Sequence, residues 1–406
     1  MERKKRVAIL HPDLGIGGAE ALIINLALAL MSRGYEVTVY TPFYDPQRCL
    51  KESHLLRVVV KGNFFPRTIF GRLIALCAYI RMLLCALWVV LFAGAQDWYV
   101  IDQVSLPIPL LRCRSRVFFY CHYPDKLLSV NRTNICMRFY RFWLDLIEEI
   151  TTSLATVTVV NSKYTQGVYK ESFKLIQKYC NNRTPDVLYP ALDFSQFEQK
   201  QGIGNLLGFV PKEGDVIITS LNRYERKKDI PLAIRACAGL KRPATLVIAG
   251  GYDERVIENV EHHLELVNLS KKLNVNTVFL RSISSAEKVA LLQRTDILLY
   301  TPQNEHFGIV PVEAMYMECT VIACNSGGPL ESILHRRTGY LLPPEPKLWT
   351  DQINEVLYSG KHTGKAGKQR VIDLFSQDAF ADKLVSLLEN GPFYQQHSER
   401  SKLTPG

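Results

Sequence analysis

The sequence has no Cys-x-x-Cys pair, and its ten cysteines stand singly at irregular intervals. A structural zinc site or a disulfide framework normally shows paired or regularly spaced cysteines, so we expect neither. We interpret the cysteines as reduced thiols, most of them small buried residues, in a chain that works in a reducing compartment.

We also expect no cleavable signal peptide. The chain begins Met-Glu-Arg-Lys-Lys-Arg and passes directly into the short apolar run 7–10, which ends before Pro12. The apolar region of a signal peptide is longer than this run and is not broken so early. We therefore predict a buried strand over 7–10.

The composition is typical neither of a disordered chain nor of one small domain. Of the 406 residues, 47% are hydrophobic and 22% are charged, as in ordinary globular proteins. This length predicts two domains.

The net charge of +10 favours an anionic partner, which could be nucleotide phosphates, lipid headgroups or nucleic acid. The alternative is a basic surface that serves only solubility. Nucleic-acid binding is disfavoured, because the basic residues cluster in one turn instead of forming a stripe with interleaved aromatics.

One long apolar run covers residues 73–94 and is interrupted only by Arg81. Its length reaches the ~20 residues that a membrane-spanning helix needs. Strands are expected on both sides of it, at 56–60 and 98–101, and if they share one sheet both ends of the helix must lie on the same side of a membrane. We therefore predict a crossover helix that lies in the membrane interface without crossing it. A fully buried core helix is the alternative.

Short apolar strands alternate with helices through both halves of the chain. In the first half, strands are predicted at 7–10, 36–40, 98–101, 117–120 and 157–160. A polar, glycine-rich linker is predicted at 195–213, and strands then recur at 216–220, 245–249, 277–280, 297–300 and 320–324. This alternation predicts an α/β fold of two Rossmann-like doubly wound domains, with ligands at the carboxyl ends of the strands in a central cleft between them.

Each half has a turn after its first strand that suits phosphate. Gly15, Gly17 and Gly18 precede a helix, so that backbone amides near the helix N-terminus can approach an anion, although such glycines are also common in ordinary turns. In the second half, residues 222–229 read Asn-Arg-Tyr-Glu-Arg-Lys-Lys-Asp. Arg223 and Lys228 are suited to clamp a diphosphate. A solvated basic loop is the alternative.

A third motif contains two glutamates. Residues 305–313 read Glu-His-Phe-Gly-Ile-Val-Pro-Val-Glu and lead into a helix predicted at 311–317. Because proline suits the first turn of a helix, we predict Glu313 in that turn and Glu305 in the loop before it. Two carboxylates that face one pocket can accept hydrogen bonds from sugar hydroxyls. The alternative for Glu313 is a capping role, which does not explain Glu305. The backbone amides between the glutamates belong to Phe307, Gly308 and Ile309.

These residues resemble glycosyltransferase family 4, in which two glutamates are separated by seven residues, with Phe-Gly after the first and Glu-Ala-Met at the second. Residues 325–331 and 338–342 match that family too, and the resemblance runs from about 7 to 388. It implies the GT-B fold, a retaining mechanism and no requirement for a metal or another cofactor. The absence of any Asp-x-Asp sequence agrees, since metal-dependent transferases commonly need that pair.

The resemblance also implies roles for individual residues. Glu313 is expected to bind the donor ribose and Glu305 the transferred sugar. His122, which follows the strand 117–120, resembles the active-site histidine of the family. The implied catalytic residues are Glu305, His122, Lys228 and Arg223. The implied donor-binding residues are Gly17, Gly18, Arg223, Lys228, Phe307, Gly308, Ile309 and Glu313.

The implied domains are an acceptor-binding domain over 1–195, with the membrane-associated helix 73–94, and a nucleotide-sugar-binding domain over 196–374. A C-terminal helix and tail follow at 375–406. The stretches 122–128, 187–190 and 222–230 most resemble family members that extend dolichol-linked oligosaccharides.

This closer resemblance implies transfer of mannose from GDP-mannose to a dolichyl-diphosphate-linked oligosaccharide. The first mannose is added in an α-1,3 linkage and the second in an α-1,6 linkage. The expected location is the cytosolic face of the endoplasmic reticulum membrane, in a complex with other enzymes of the pathway. Two alternatives stay open: a family 4 enzyme that uses a UDP-sugar on a lipid acceptor, and a sugar-nucleotide-binding scaffold without turnover. A glycoside hydrolase also needs two carboxylates, but it has no use for a cationic diphosphate clamp.

Overall fold

The computed structural model describes residues 3–69, 71, 73–128, 135–180, 183–198, 214–360 and 362–390. The chain forms two compact units. The first contains the chain up to Ala191 and from Gln377 onward, and the second is Leu192–Ser376. The sequence placed the corresponding boundaries after residues 195 and 374.

The first unit is built on a parallel sheet. Its described strands are β1 (Arg6–Leu10), β2 (Glu36–Thr41), β3 (Val58–Val60), β4 (Trp98–Asp102), β5 (Arg116–Cys121), β6 (Val157–Val160) and β7 (Asp186–Val187). They lie in the order β3-β2-β1-β4-β5-β6-β7, and each neighbouring pair is parallel. The winding reverses between β1 and β4, which is where doubly wound folds bind their ligands.

Helices cover both faces of this sheet. In chain order, those of the first unit before Ala191 are α1 (Gly18–Ser32), α2 (Ile74–Phe92), α3 (Ile108–Arg112), α4 (Asp125–Leu128), α5 (Ile135–Ser153), α6 (Lys163–Ser172) and α7 (Lys174–Tyr179). In β1, Val7 and Ile9 belong to the core formed with α1, whereas Ala8 and Leu10 belong to the core formed with α2, α3 and α5. Successive strand residues point to opposite faces, so a strand covered on both sides is apolar throughout.

Helix α2 connects β3 to β4, two strands of the same sheet, as the sequence predicted. In the described part of the chain it is the one helix long and apolar enough to span a membrane, with a mean hydropathy of 2.3. Its inner side is buried, and the buried Arg81 donates a hydrogen bond of 2.8 Å to the carbonyl of Pro42. Its outer side exposes Leu83, Leu87 and Leu91. The alternative of a fully buried core helix is therefore wrong.

The second unit repeats the plan. Its described strands are β8 (Ile217–Leu221), β9 (Thr245–Gly250), β10 (Thr277–Arg281), β11 (Ile297–Tyr300), β12 (Thr320–Cys324) and β13 (Tyr340–Leu342). They form a parallel sheet in the order β10-β9-β8-β11-β12-β13, which reverses its winding between β8 and β11. The helices are α8 (Ser195–Glu198), α9 (Ile230–Cys237), α10 (Ile257–Lys272), α11 (Ser285–Arg294), α12 (Ile309–Tyr316), α13 (Pro329–Ser332), α14 (Pro346–Ser359) and α15 (Gly364–Phe375). The predicted linker falls on α8 and on 199–213, which lie outside the described residues.

The last helix, α16 (Gln377–Asn390), lies within the predicted C-terminal segment and belongs to the first unit. It packs on α1: Phe380 and Leu384 join the core that α1 covers. Arg33, at the end of α1, forms ion pairs with Asp378 and Asp382. The chain thus returns to its first unit through both apolar packing and charge.

Candidate active site

A cavity of about 430 Å³ opens at the carboxyl ends of β8 and β11 in the second unit. Its charged lining residues are Arg223, Lys228, Lys288, Glu305 and Glu313. Gly308 and Ile309 line it as well. The fold therefore brings together six of the residues singled out from the sequence, because parallel strands deliver their following loops to one edge of the sheet.

Lys228 is buried at this edge, and its ammonium Nζ lies 2.6 Å from Oε1 of Glu305. The hydroxyl of Thr301 donates to the carbonyl of Lys228 at 2.6 Å. The next residue, Asp229, has φ +46°, in the left-handed region, which costs roughly 1–3 kcal/mol for a residue other than glycine. A turn held in this way is not a solvated basic loop, so that alternative is wrong for Lys228.

The other cationic side chains of the turn at 222–229 point in different directions. Arg223 lines the cavity and pairs with Glu225 at 3.1 Å, with most of its side chain exposed. Lys227 also pairs with Glu225, at 3.0 Å. Arg226 reaches away to Glu261 and Glu265 on α10, at 2.9 and 2.7 Å. Two of the four cations therefore face the cavity.

The loop that carries Glu305 rests on two glycines. The amide of Gly328 donates to the carbonyl of Glu305 at 2.8 Å. A Cβ atom on Gly327 would lie 2.4 Å from the same carbonyl oxygen, and one on Gly328 would lie 2.1 Å from that of Phe307. Only a residue without a side chain allows so close an approach. The motif at 325–331 therefore holds Glu305 in place by backbone packing.

Phe307 does not line the cavity through its side chain. The ring is buried and packs against Phe375, with ring centroids 5.6 Å apart. Its predicted part in donor binding is thereby restricted to its backbone, and that role stays a prediction.

Glu313 lies in the second turn of α12, so its predicted position in the first turn is wrong. Gly308 has φ +78° and lets the helix begin at Ile309, two residues before the predicted start at Pro311. Glycine adopts this backbone conformation without strain. Glu313 is buried, and among the described residues its carboxylate accepts from no backbone amide at the start of α12, so the capping alternative is also wrong.

The partner of Glu313 is Lys288 of α11, which the sequence analysis missed. Its Nζ lies 2.6 Å from Oε1 of Glu313. Ser284 and Glu287 form a capping box that starts α11, and this Ser-x-x-Glu pattern is readable in sequence. The pattern fixes where α11 begins, but it does not indicate that Lys288 meets a carboxylate 25 residues away along the chain.

Gly17 and Gly18 lie in the first unit, at the start of α1. Gly17 has φ −85° and ψ 177°, an extended conformation open to any residue. A Cβ atom on Gly18 would meet nothing within 4 Å, whereas one on Gly17 would meet the carboxylate of Glu20. Gly18 therefore has open space beside it, whereas the carboxylate of Glu20 lies against Gly17 at the amino end of α1. Their part in donor binding stays a prediction.

His122 follows β5 in the first unit, and its Nε2 lies 2.9 Å from Oδ2 of Asp102. The other oxygen of Asp102 lies 2.7 Å from Nδ1 of His11. Asp102 and His11 were missed, although a signal exists in the sequence. Each of the three residues comes at the carboxyl end of a predicted strand, and β1, β4 and β5 are neighbours in the sheet.

The electrostatics of this trio keep the carboxylate charged. Burial raises the pKa of Asp102, but the charges and hydrogen bonds of His11 and His122 outweigh burial and hold that pKa below its usual value. Burial lowers the pKa of His11, yet the charge and hydrogen bond of Asp102 raise it above its usual value. Asp102 is therefore an ionised acceptor between two histidine donors.

The chemistry available in the second unit is that of side-chain cations next to carboxylates. Among the residues that the structure describes, no group of three His, Cys, Asp or Glu is arranged to hold a metal ion. Arg223, Lys228 and Lys288 offer N–H donors for phosphate oxygens, and the glutamates offer acceptors for hydroxyls. A nucleotide diphosphate attached to a sugar presents both groups.

Comparisons with known proteins agree with this chemistry. Residues 16–178 match the family described as Glycosyltransferase Family 4, and residues 208–370 match Glycosyl transferases group 1. The sucrose-phosphate synthase of Thermosynechococcus elongatus has a similar structure, with a TM-score of 0.73 at 19% identity, covering 98% of this chain and all of that one. This likeness confirms the predicted GT-B fold.

Sequence relatives are more specific. The α-1,3/1,6-mannosyltransferase ALG2 of Mus musculus is 46% identical over 93% of this chain and 94% of its own length. ALG2 of Saccharomyces cerevisiae is 39% identical over 95% of this chain and 85% of its own length. The chain therefore belongs to the α-1,3/1,6-mannosyltransferase family and is a glycosyltransferase of the mannosyltransferase class.

Proposed function

We propose that the chain transfers mannose from GDP-mannose to a dolichyl-diphosphate-linked oligosaccharide, with retention of configuration, in the assembly of the N-glycan precursor. The α-1,3 addition comes first and the α-1,6 addition second. The observation that carries this proposal is the cavity of the second unit, where two lysine–glutamate pairs and Arg223 line one space. The names of the relatives support the sugar and the two linkages.

Lys228 is the central residue of the donor site. An ammonium has three N–H donors, and one of them is used by Glu305 at 2.6 Å. The other two remain for the diphosphate. Lys228 thus contacts both Glu305, which holds the sugar, and the diphosphate, which is the leaving group. As the bond from the sugar to the diphosphate breaks, negative charge grows on the leaving oxygen, and Lys228 and Arg223 stabilise it.

Glu313 fits the ribose. Its Oε1 accepts from Lys288, but its Oε2 is buried with no hydrogen-bond donor among the described residues. A buried carboxylate oxygen without a donor costs about 1–3 kcal/mol or more. A ribose hydroxyl in the cavity would satisfy it. The unsatisfied hydrogen-bond acceptor therefore supports the role of Glu313 in donor binding.

Glu305 suits the transferred mannose. Lys228 holds one carboxylate oxygen, which leaves Oε2 as an acceptor at the cavity lining. His122 of the first unit supplies a polar group for the reacting hydroxyls. Gly17 and Gly18 complete the proposed donor-binding set with the amides of 307–309. No metal or other cofactor takes part.

The first unit provides a surface for the membrane of the endoplasmic reticulum, on its cytosolic face. Helices α2 and α5 cover the same face of the sheet and touch where the amide of Leu76 donates to the hydroxyl of Tyr140 at 3.1 Å. Helix α2 exposes three leucines, and helix α5 exposes Phe139, Phe142 and Trp143. Exposed apolar helix faces of this kind bind the membrane interface. A polyprenyl acceptor is held in that interface.

The test is a transfer assay with the purified full-length chain, a polyprenyl-diphosphate-linked oligosaccharide that carries one mannose, and GDP-mannose, UDP-glucose or UDP-N-acetylglucosamine. We expect two successive hexose additions with GDP-mannose alone. Digestion of the product with α-mannosidase checks retention, since GDP-mannose is an α-glycoside. Transfer from a UDP-sugar would replace the donor assignment, and nucleotide binding without transfer would establish the scaffold.

A further inference from the structure

Asp102 connects two histidines at the point where the first sheet reverses its winding. His11 follows β1, Asp102 ends β4, and His122 follows β5. The distances are 2.7 Å from Oδ1 to Nδ1 of His11 and 2.9 Å from Oδ2 to Nε2 of His122. Both carboxylate oxygens are thus used, one by each ring.

This geometry determines which nitrogen of His122 carries the proton. An ionised carboxylate only accepts hydrogen bonds, so each ring nitrogen that it contacts must donate. A neutral imidazole has one N–H, and the other nitrogen is an acceptor. With Nε2 protonated towards Asp102, Nδ1 of His122 is the acceptor.

Burial separates the roles of the three residues. The side chains of His11 and Asp102 have no exposed surface, whereas 23% of the His122 side chain is exposed. A ligand can therefore contact His122 and not the other two. The side-chain Nδ2 of Asn161 donates to the backbone carbonyl of His122 at 3.2 Å, so the backbone of His122 is held separately from its ring.

His11 completes the arrangement from the opposite side. Its Nδ1 binds Oδ1 of Asp102, and its Nε2 is buried with no partner among the described residues. A buried nitrogen without a partner is unfavourable, and the contact with Asp102 is the interaction that offsets it. His11 thereby fixes the carboxylate so that Oδ2 points towards His122.

We propose that Asp102 is a positioning residue for mannosyl transfer: it fixes His122 in the Nε2–H tautomer and orients Nδ1 to accept a hydrogen bond from a sugar hydroxyl. This inference rests on the proposed role of His122 at the reacting sugar. Asp102 itself touches no substrate. Its effect on turnover passes through the orientation and tautomer of one ring.

The tautomer can be measured directly in the wild-type enzyme. Long-range ¹H–¹⁵N correlation spectra of protein labelled with ¹⁵N-histidine distinguish Nε2–H, Nδ1–H and doubly protonated rings. The chain has nine histidines, few enough for His122 to be identified by its absence from the spectrum of His122→Ala. We expect Nε2–H for His122 at neutral pH. An Nδ1–H ring would overturn the proposal without any substitution of Asp102.

The kinetic test compares two aspartates of the same strand region. Asp102 ends β4, and Asp97 precedes it at the other end, where it accepts from the amide of Arg6 at 2.7 Å. We expect Asp102→Ala to lower kcat by about 100-fold, the scale of one positioned acid–base group, with the KM for GDP-mannose changed by less than about threefold. Asp97→Ala should keep the wild-type kcat. In Asp102→Ala, the His122 signal should show a mixture of tautomers.

The experiments distinguish failure of the Asp102 proposal from failure of the proposed role of His122. If Asp102→Ala turns over at a rate close to that of the wild type while His122→Ala is inactive, the positioning role of Asp102 is wrong and the role of His122 stands. If His122→Ala is itself fully active, the role of His122 in the proposed function is wrong, whatever its tautomer. Thermal unfolding of each variant identifies a loss of folding, and the wild-type spectrum still decides the proposal in that case.

Discussion

Lys288 and Glu313 form a half-satisfied pair: one carboxylate oxygen of Glu313 lies 2.6 Å from Nζ of Lys288, and the other is buried with no hydrogen-bond donor in the part of the chain that the structure describes. The Lys288 ammonium compensates the carboxylate of Glu313 inside the protein, because an unpaired buried charge is strongly unfavourable. The unsatisfied oxygen leaves a place for one more donor. The pair therefore prepares Glu313 to bind a hydroxyl.

The first prediction concerns Lys288. Lys288→Ala leaves the carboxylate of Glu313 without its partner, so this carboxylate repels the anionic donor. We expect the affinity for GDP to fall by about tenfold or more, equivalent to at least about 1.4 kcal/mol, as measured by isothermal titration calorimetry. Lys272→Ala, on the exposed side of α10, is the matched control and should bind GDP normally. Equal affinities for the two variants would separate Lys288 from the donor site.

The second prediction concerns the diphosphate clamp. Lys228→Ala and Arg223→Ala each remove a donor from the leaving group, and the loss of a comparable electrostatic donor raises the barrier by roughly 3–4 kcal/mol. Lys228 is buried and Arg223 is largely exposed, so we expect the larger loss of kcat for Lys228→Ala. Arg226→Ala is the control, because Arg226 points towards α10. Near-normal rates for both clamp variants would make the turn an ordinary surface loop.

Much of this site follows from the sequence, and the reason is physical. The strands have short apolar runs, and the loops after them carry polar residues that parallel packing must collect at one edge. That argument located Arg223, Lys228, Glu305 and Glu313 in one cavity. It also predicted α2 as a crossover helix.

The parts that were missed depend on contacts between elements. The Lys288–Glu313 pair joins α11 and α12. Neither helix's own sequence shows which of its faces turns towards the other helix. The trio of His11, Asp102 and His122 has a pattern, but strand order was needed to make β1, β4 and β5 neighbours. The error over the first turn of α12 came from Pro311, because the left-handed Gly308 starts the helix earlier.

The third prediction concerns Glu148, which holds the start of α4, three residues after His122. This buried carboxylate accepts from the amides of Asp125 and Lys126 at 2.7 and 3.0 Å. Burial raises the pKa of Glu148 to about 7, against hydrogen bonds that lower it. A carboxyl group with a raised pKa in the folded state favours folding while it is protonated. Its contribution is complete below about pH 4.5 and is lost as the pH rises to about 7, a change of roughly 3 kcal/mol.

Chemical denaturation between pH 4.5 and 8 measures this effect. We expect the free energy of unfolding of the Glu148→Gln variant to depend less steeply on pH across this window than that of the wild type. The difference should amount to at most one proton, since one group is removed. Parallel curves for the two proteins would mean that Glu148 titrates in its ordinary range.

The fourth prediction concerns the membrane. Phe64 and Gln103 are exposed and lie on either side of α2 along the chain. If α2 lies in the interface, single cysteines at these two positions should both react with an impermeant maleimide added to the cytosolic side of sealed microsomes. The exposed Cys113 and Cys136 are first replaced by serine, and the variant without added cysteines gives the background. Labelling of the two sites from opposite sides would establish a membrane-spanning helix.

The last prediction is that one active site makes both linkages. The described residues contain one cavity that joins the cationic turn to the glutamates, and one histidine that matches the expected position after β5. Both additions must then use the same donor pocket, with the acceptor bound in a second pose before the other hydroxyl attacks. A polyprenyl anchor favours this, because it keeps the intermediate near the site at a high effective concentration.

Glu313→Ala should therefore abolish the α-1,3 and the α-1,6 additions together, since it removes the ribose acceptor that both require. His122→Gln should change the ratio of the two products, because His122 is expected to contact the reacting hydroxyls and not the nucleotide. The assay uses mass spectrometry to separate lipid-linked products with one or two added hexoses. It is run once with the acceptor that carries one mannose and once with the product of the first addition. A Glu313→Ala enzyme that still performs one addition at the wild-type rate would require a second donor site elsewhere in the chain.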